Sequence, residues 1–420
     1  MPAFSFIHAA DLHLDSPFKG LQALNPDIAQ ELKEATFRAF TNIADLCLEK
    51  QVDFLLIAGD VFDGEDRSLP AQVRFRNDLG KLAESGIQTY IVYGNHDPLN
   101  TWVTSLSWSD QVHFFRTDAV ERVCCQRDGE DVAALYGISY ARRDVGENLA
   151  LGYRKSDDDL FAIGLLHANV GGDPAHEAYA PCRLEDLRTA GMDYWALGHI
   201  HQWAILQEEE PAVVYAGNPQ GRHPEEEGAR GCMVVEVADD GTPRVDFAAT
   251  DSVRWVSGAV SIEEIGTEDE LLETLEECCP DLQEQEDGRP IVCRLELSGR
   301  GSLHRPLRQR GMNEFIDVVR EQLAGRQPFI WLDRVEDRTR GIIDVEARAR
   351  GEDFVGDFLR IVRGYSENPD KRDALRERLN GLFGHRVGKK YLQMPDDETL
   401  IALLEEAQTR CLDLMVEEEG

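Results

Sequence analysis

Five short apolar runs in this chain each end on a residue able to ligate a metal ion, and this pattern constrains the fold more than any other feature. The sharpest case is Tyr93-Gly94-Asn95-His96-Asp97, which follows the apolar residues 89–92. The run reads as a buried strand, and Gly94 lets the backbone turn sharply at its end. An asparagine carbonyl oxygen is a workable metal ligand, and the histidine after it gives or takes a proton near neutral pH. A loop leaving the carboxyl end of a strand is where α/β proteins place their chemistry.

The other four runs repeat the theme. Residues 5–10 read as a strand ending in Asp11-Leu12-His13, and on an extended chain both polar side chains point to one side, where they can grip one ion. Residues 53–58 close on Gly59-Asp60, whose carboxylate has two oxygens and can bridge two cations. Residues 161–166 lead into His167, and residues 194–197 into Gly198-His199-Ile200-His201. Alone, a Gly-Asp is usually a turn. Together the runs supply carboxylate, imidazole and amide donors with no cysteine among them, a set suited to manganese, iron or another octahedral divalent ion. Two such ions roughly 3.5–4 Å apart would clamp a phosphoryl group between attacking and leaving oxygens.

Around these runs the chain alternates strands and helices, then turns strand-rich. Ile28, Leu32, Phe40, Ile43 and Leu46 give residues 26–50 helical spacing; Pro70 opens a second helix with Val73, Leu79 and Leu82 on one face. Strand-like runs follow at 113–115, 120–125, 132–138, 213–215, 233–237 and 244–248. A two-sheet sandwich flanked by helices fits this order better than one doubly wound sheet. From Trp255 the pattern becomes strand 256–262, helix 268–279, strand 291–297, helix 312–323 and strand 329–335, a small α+β domain. Residues 354–362, 371–383 and 397–415 read as amphipathic helices, and Glu417-Glu418-Glu419 as a solvated end. The expected division is 1–254, 255–348 and 349–420.

The 420 residues carry a formal charge of -35, which argues against broad, non-specific attraction to nucleic acid. Residues 294–310 run against that trend: Arg294, Arg300, His304, Arg305, Arg308 and Arg310 stand there with Glu296 as the only acid. Such a strip could meet a phosphate backbone or pair with nearby acids. The nine cysteines are scattered, with no Cys-x-x-Cys, so free thiols in a reducing cytoplasm are expected. No apolar stretch reaches the roughly 18 residues that cross a bilayer, and no basic leader opens the chain. The expected location is the cytoplasm.

In order, Asp-x-His, Gly-Asp-x-x-Asp, Gly-Asn-His-Asp, a later His and Gly-His-x-His resemble the calcineurin-like metallophosphoesterases. With the second domain, the spacing is similar to the SbcD-type DNA-repair exonucleases. Residues 215–223 and Asn169-Val170-Gly171-Gly172 resemble the YhaO subgroup. The resemblance implies a four-layer α/β/β/α sandwich, a capping domain and a helical tail. It further implies a Mn-dependent DNA exo/endonuclease, part of a repair complex with an SMC-like coiled-coil ATPase of SbcC or YhaN type, which would dock on the tail helices. A homodimer is compatible with the sequence.

By the same resemblance, Asp11, His13, Asp60 and His201 would hold one ion, most naturally Mn2+, with Fe2+ or Mg2+ as alternatives. Asp60, Asn95, His167 and His199 would hold the other, with Asp60 shared. His96 would contact the scissile phosphate and protonate the leaving oxygen, and Asp63 would pair with it, since a neighbouring carboxylate favours the imidazolium. Arg222, His223, Arg305 and Arg308 are candidate substrate contacts. The same ligands would equally serve a phosphodiesterase or phosphatase for a small nucleotide or other metabolite, whose cap closes a pocket rather than a groove. A third reading is a structural subunit with a decayed site, against which the intact ligand set argues.

Overall fold

The computed structural model describes residues 1–16, 26–63, 68–98, 106–172, 179–383 and 394–416; Glu417-Glu418-Glu419 lie outside these. In chain order the first elements are β1 (Phe4–Ala9), α1 (Pro26–Lys50), β2 (Phe54–Ala58), α2 (Leu69–Glu84), β3 (Gln88–Val92), β4 (Val112–Phe114), β5 (Glu121–Arg127) and β6 (Glu130–Gly137). They continue with β7 (Ala162–His167), α3 (Leu184–Thr189), β8 (Tyr194–Gly198), β9 (Ala204–Gln207), β10 (Ala212–Tyr215), β11 (Gly231–Val237) and β12 (Pro243–Ala249).

The strands form two six-stranded sheets, ordered β12-β11-β1-β2-β3-β4 and β5-β6-β7-β8-β10-β9. β1, β2, β3 and β4 run parallel in the first sheet and β6, β7, β8 and β10 in the second, while β1 pairs antiparallel with β11 and β10 with β9. Of these, β1, β2, β7 and β8 are almost wholly buried, as parallel strands covered on both faces must be. Period-2 alternation sorts their side chains. Phe6, Phe54 and Leu56 meet Leu165, Tyr194 and Val214 between the sheets, while Ile7, Leu55, Ile57 and Ile91 face Phe40, Ile43, Phe75 and Leu79 of α1 and α2. On the far side, Trp195, Leu197 and Val213 pack against Leu187 of α3. The layers are therefore α/β/β/α. Phe6 stacks on Phe54 at 4.9 Å and meets Tyr194 edge-on at 5.2 Å, and each such pair contributes about 0.5–1.5 kcal/mol beyond its buried area.

Local chemistry sets the helix ends. Ser68 caps α2 by accepting from the Ala71 N–H at 3.2 Å, with Pro70 in the first turn. α1 buries Leu32, Ala35, Ala39, Ile43 and Cys47, three or four residues apart, with Phe40 beside them. His8, fully buried in β1, sits 3.1 Å from both the Tyr194 hydroxyl and the Leu197 carbonyl. Burial pushes its pKa down to about 3, although the Leu197 carbonyl pulls the other way.

Beyond β12 come β13 (Arg254–Ser261), α4 (Glu268–Gln285), β14 (Ile291–Ser298), α5 (His304–Arg310), α6 (Met312–Leu323) and β15 (Ile330–Asp337), with the strands paired as β13-β14-β15. The chain then forms α7 (Val345–Ala349), α8 (Phe354–Glu367), α9 (Pro369–Phe383) and α10 (Asp397–Val416). Two compact units emerge. One is Met1–Gly258, Leu275–Leu295 and Ile316–Val335; the other is Ala259–Thr274, Glu296–Phe315 and Glu336–Gly420. In the first, Trp255, Val292 and Trp331 pack with Leu32 and Ala35 of α1. In the second, Ala349, Val355, Leu359 and Leu412 form a cluster that joins the terminal helices.

Three elements differ from the sequence reading. α4 runs through Pro280 to Gln285 instead of stopping at Cys279; the proline withholds one backbone bond while Leu271, Leu275 and Cys279 keep one face buried. Part of the basic strip at 294–310 is the helix α5, where Pro306 falls in the first turn and its missing N–H has no helical partner to lose. β9 escapes sequence analysis because it is a short, half-exposed edge strand. All nine cysteines are free, and among the described residues no helix is long and apolar enough to cross a membrane.

Candidate dinuclear metal centre

The carboxyl ends of β1, β2, β3, β7 and β8 meet at one edge of the sandwich. Asp11 N donates to the Gly59 carbonyl at 3.1 Å and His13 N to the Asp60 carbonyl at 3.0 Å, which ties the first two strand ends together. His199 N donates to both carboxylate oxygens of Asp11, at 3.0 and 3.1 Å, and so joins the two sheets. The approach is tight. A Cβ on Gly94 would lie 2.2 Å from Asp60 Oδ1, and one on Gly198 would lie 1.9 Å from the Ala58 carbonyl oxygen. Asp11, His13, Asp60 and His199 all hold positive φ, at 51°, 43°, 52° and 99°. Left-handed backbone in such residues costs on the order of 1–3 kcal/mol each and persists where surrounding structure fixes it.

The donor atoms converge. Ligand atoms of Asp11, His13 and His201 lie within 4.8 Å of one another, as do those of Asp11, Asp60 and His167. Asp60 Oδ2 stands 3.8 Å from His13 Nε2 and 3.5 Å from His167 Nε2, between the two proposed ligand sets. Its other oxygen accepts the His96 N–H at 2.9 Å. Asn95 Oδ1 is 2.9 Å from His167 Nε2, whose Nδ1 faces the Ala58 carbonyl at 2.9 Å. The His199 ring meets that of His167 edge-on at 5.3 Å. Asp97 steadies the turn by accepting from Gly94 N and Val61 N, each at 2.8 Å.

Two observations test whether divalent ions fit. His13 and His201 face each other Nε2 to Nε2 at 3.1 Å, while the buried His13 Nδ1 has no hydrogen-bond partner. Asp11 and Asp60 are both buried, and Asp11 is pushed well above the usual carboxylate range, by burial first and then by the charge of Asp60. Burial holds His13 and His167 below the usual imidazole range. Neutral imidazoles turned toward crowded carboxylates are what a cation requires. The residues fit.

Beside this set, His96 Nδ1 lies 2.8 Å from Asp63 Oδ1. Arg222 Nη1 donates to Asp63 Oδ2 at 2.9 Å and to Ser16 Oγ at 3.1 Å. Burial opposes the imidazolium of His96, but the Asp63 hydrogen bond and the charges of Asp60 and Asp63 raise its pKa above the ordinary value. Burial likewise opposes the Asp63 carboxylate, yet His96 and Arg222 hold it below the usual range.

The structure thus brings together all seven candidate ligands with His96, Asp63 and Arg222. His223 is 63% exposed, with Glu225 as its neighbour at 3.8 Å. Arg305 and Arg308 are exposed on α5 in the second unit. Within the basic strip, Arg294 pairs with Asp333 at 2.8 Å and Arg310 with Glu268 at 3.0 Å. Sequence reasoning missed Ser16 and Glu226; the latter stands in the run Glu225-Glu226-Glu227, where nothing distinguishes it.

Residues 4–203 match the family described as calcineurin-like phosphoesterase, and residues 255–340 match the middle domain of metallophosphoesterase YhaO. A Bacillus subtilis (strain 168) protein, described as the uncharacterized metallophosphoesterase YhaO, is 37% identical over 406 residues, 96% of each chain. The chain belongs to the calcineurin-like metallophosphoesterases. Weaker similarity reaches the DNA double-strand break repair protein Mre11 of Thermoplasma acidophilum, 28% identical over 51% of this chain and 56% of that one. It also reaches one component of the nuclease SbcCD of Escherichia coli (strain K12), at 25% identity over 51% of this chain and 60% of that one. A calcineurin-like phosphoesterase uses divalent metals, in keeping with the donor set assembled at these strand ends.

Proposed function

We propose that this metallophosphoesterase is a Mn-dependent DNA exo/endonuclease that hydrolyses phosphodiester bonds, with Asp11, His13, Asp60 and His201 at one ion and Asp60, Asn95, His167 and His199 at the other. The observation that carries the reading is the chain Arg222–Asp63–His96 beside the donors. It holds a guanidinium and a candidate proton donor side by side next to the candidate ligands. When bound, the two ions supply Lewis-acid polarisation of the phosphoryl oxygens and an acidified water. Held as the imidazolium by Asp63 and Asp60, His96 donates its Nδ1–H to Asp63 and keeps an Nε2–H as the proton given to the leaving oxygen. Arg222 orients Asp63 and adds positive charge for the substrate phosphate. The names of the Mre11 and SbcCD relatives support DNA as the substrate.

An SMC-like coiled-coil ATPase is the partner this reading assigns, in the cytoplasm. Phe354 and Ile361 of α8 and Leu403 and Leu414 of α10 are exposed, and a partner helix would cover them. The charge of -35 favours a second reading, a phosphodiesterase or phosphatase for a small nucleotide or metabolite. One assay separates them. With MnCl2, purified full chain should digest single- or double-stranded DNA. Turnover of cyclic nucleotides or p-nitrophenyl esters with intact DNA would overturn the nuclease reading.

A further inference from the structure

His201 leaves the end of β8, yet its anchors come from the loop after β10. Its carbonyl accepts from Asn218 N at 3.1 Å and from Arg230 Nη1 at 2.6 Å. Its Nδ1 lies 2.6 Å from Glu226 Oε1. The second oxygen of Glu226 accepts from Arg222 N, also at 2.6 Å. One largely buried carboxylate thus holds both the imidazole of a candidate ligand and the backbone of the arginine that binds Asp63.

We propose that Glu226 is a positioning residue: it accepts the Nδ1–H of His201 and fixes the tautomer whose Nε2 lone pair faces Asp11 and His13, thereby setting the affinity for one of the two divalent ions. An ionised carboxylate only accepts hydrogen bonds, so the proton between the two groups belongs to Nδ1. A neutral imidazole carries one N–H, which leaves Nε2 as the donor to a cation. Carboxylates in this relation to a ligating histidine typically alter metal affinity 10–100-fold when removed. The inference rests on reading His201 as a ligand.

The test uses the full chain and MnCl2 alone. In long-range 1H–15N spectra of metal-free protein, with His201 assigned through His201→Asn, the wild type should show the Nδ1–H tautomer. Glu226→Ala should lose that single form. By calorimetry, Glu226→Ala should bind one equivalent of Mn2+ about 10–100-fold more weakly and the other unchanged. Glu226→Gln, which keeps an acceptor oxygen, should retain more of the affinity and of the tautomer than Glu226→Ala. An Nε2–H tautomer in the wild type overturns the proposal without recourse to any variant. So does a Glu226→Ala protein that binds both equivalents like the wild type. A wild type that takes up no Mn2+ strikes the metal centre itself, and the two failures are told apart.

Discussion

His96 and Asp63 are joined Nδ1 to Oδ1 at 2.8 Å, and the other oxygen of Asp63 is held by Arg222. The pair fixes which nitrogen of His96 can deliver a proton. His96→Ala should therefore keep both equivalents of Mn2+ by calorimetry and lose DNA cleavage by about 10²–10⁴-fold, the usual weight of a positioned acid. Undiminished cleavage in that variant would remove His96 from the proton-donor role.

Asp60 offers one oxygen between His13 and His167. Asp60→Ala should bind neither ion, whereas a terminal ligand would take only its own ion with it. Metal analysis after gel filtration reads this directly, and two retained equivalents would contradict a shared ligand.

Gly94→Ala should damage the centre without replacing any candidate ligand, since its Cβ would fall 2.2 Å from Asp60 Oδ1. Displacing a buried carboxylate in this way costs about 1–3 kcal/mol. The expected readouts are a lower melting temperature and weaker Mn2+ binding together. Wild-type values for both would show that the turn relaxes freely.

His8 predicts a pH dependence of stability. Its folded pKa of about 3 lies below the ordinary 6.5, so the unfolded chain takes up the proton first. The stabilisation is present above pH 6.5 and is lost as pH falls toward 3, a change of a few kcal/mol at most. In urea unfolding, the advantage of wild type over His8→Gln should shrink from pH 7.5 to pH 5. A constant gap would mean that His8 is not held neutral by its burial.

Much of this was legible in the sequence because the strands are short, buried and parallel: each apolar run had to end where its polar donor stands, and Asp11, Asp60, Asn95, His167 and His199 follow in order. Two-residue spacing in Asp11-Leu12-His13 and His199-Ile200-His201 placed pairs of donors together. What sequence could not supply was the pairing of strands. Glu226 reaches His201 across 25 residues only because β10 lies beside β8. β9 was silent because an exposed edge strand needs no apolar alternation, and α4 was cut short because a single proline was read as a stop, although burial on one face outweighs one lost bond.

The centre also dictates an order of events. Asp11, His13, Asp60 and Asn95 descend from one leaf of the sandwich and His167, His199 and His201 from the other, so neither leaf carries a complete cradle for either ion. If the proposed ligand sets hold, loading would wait until the two have closed face to face. On that reading occupancy would report a finished sandwich, and stripping the ions would unfasten a clasp between the halves.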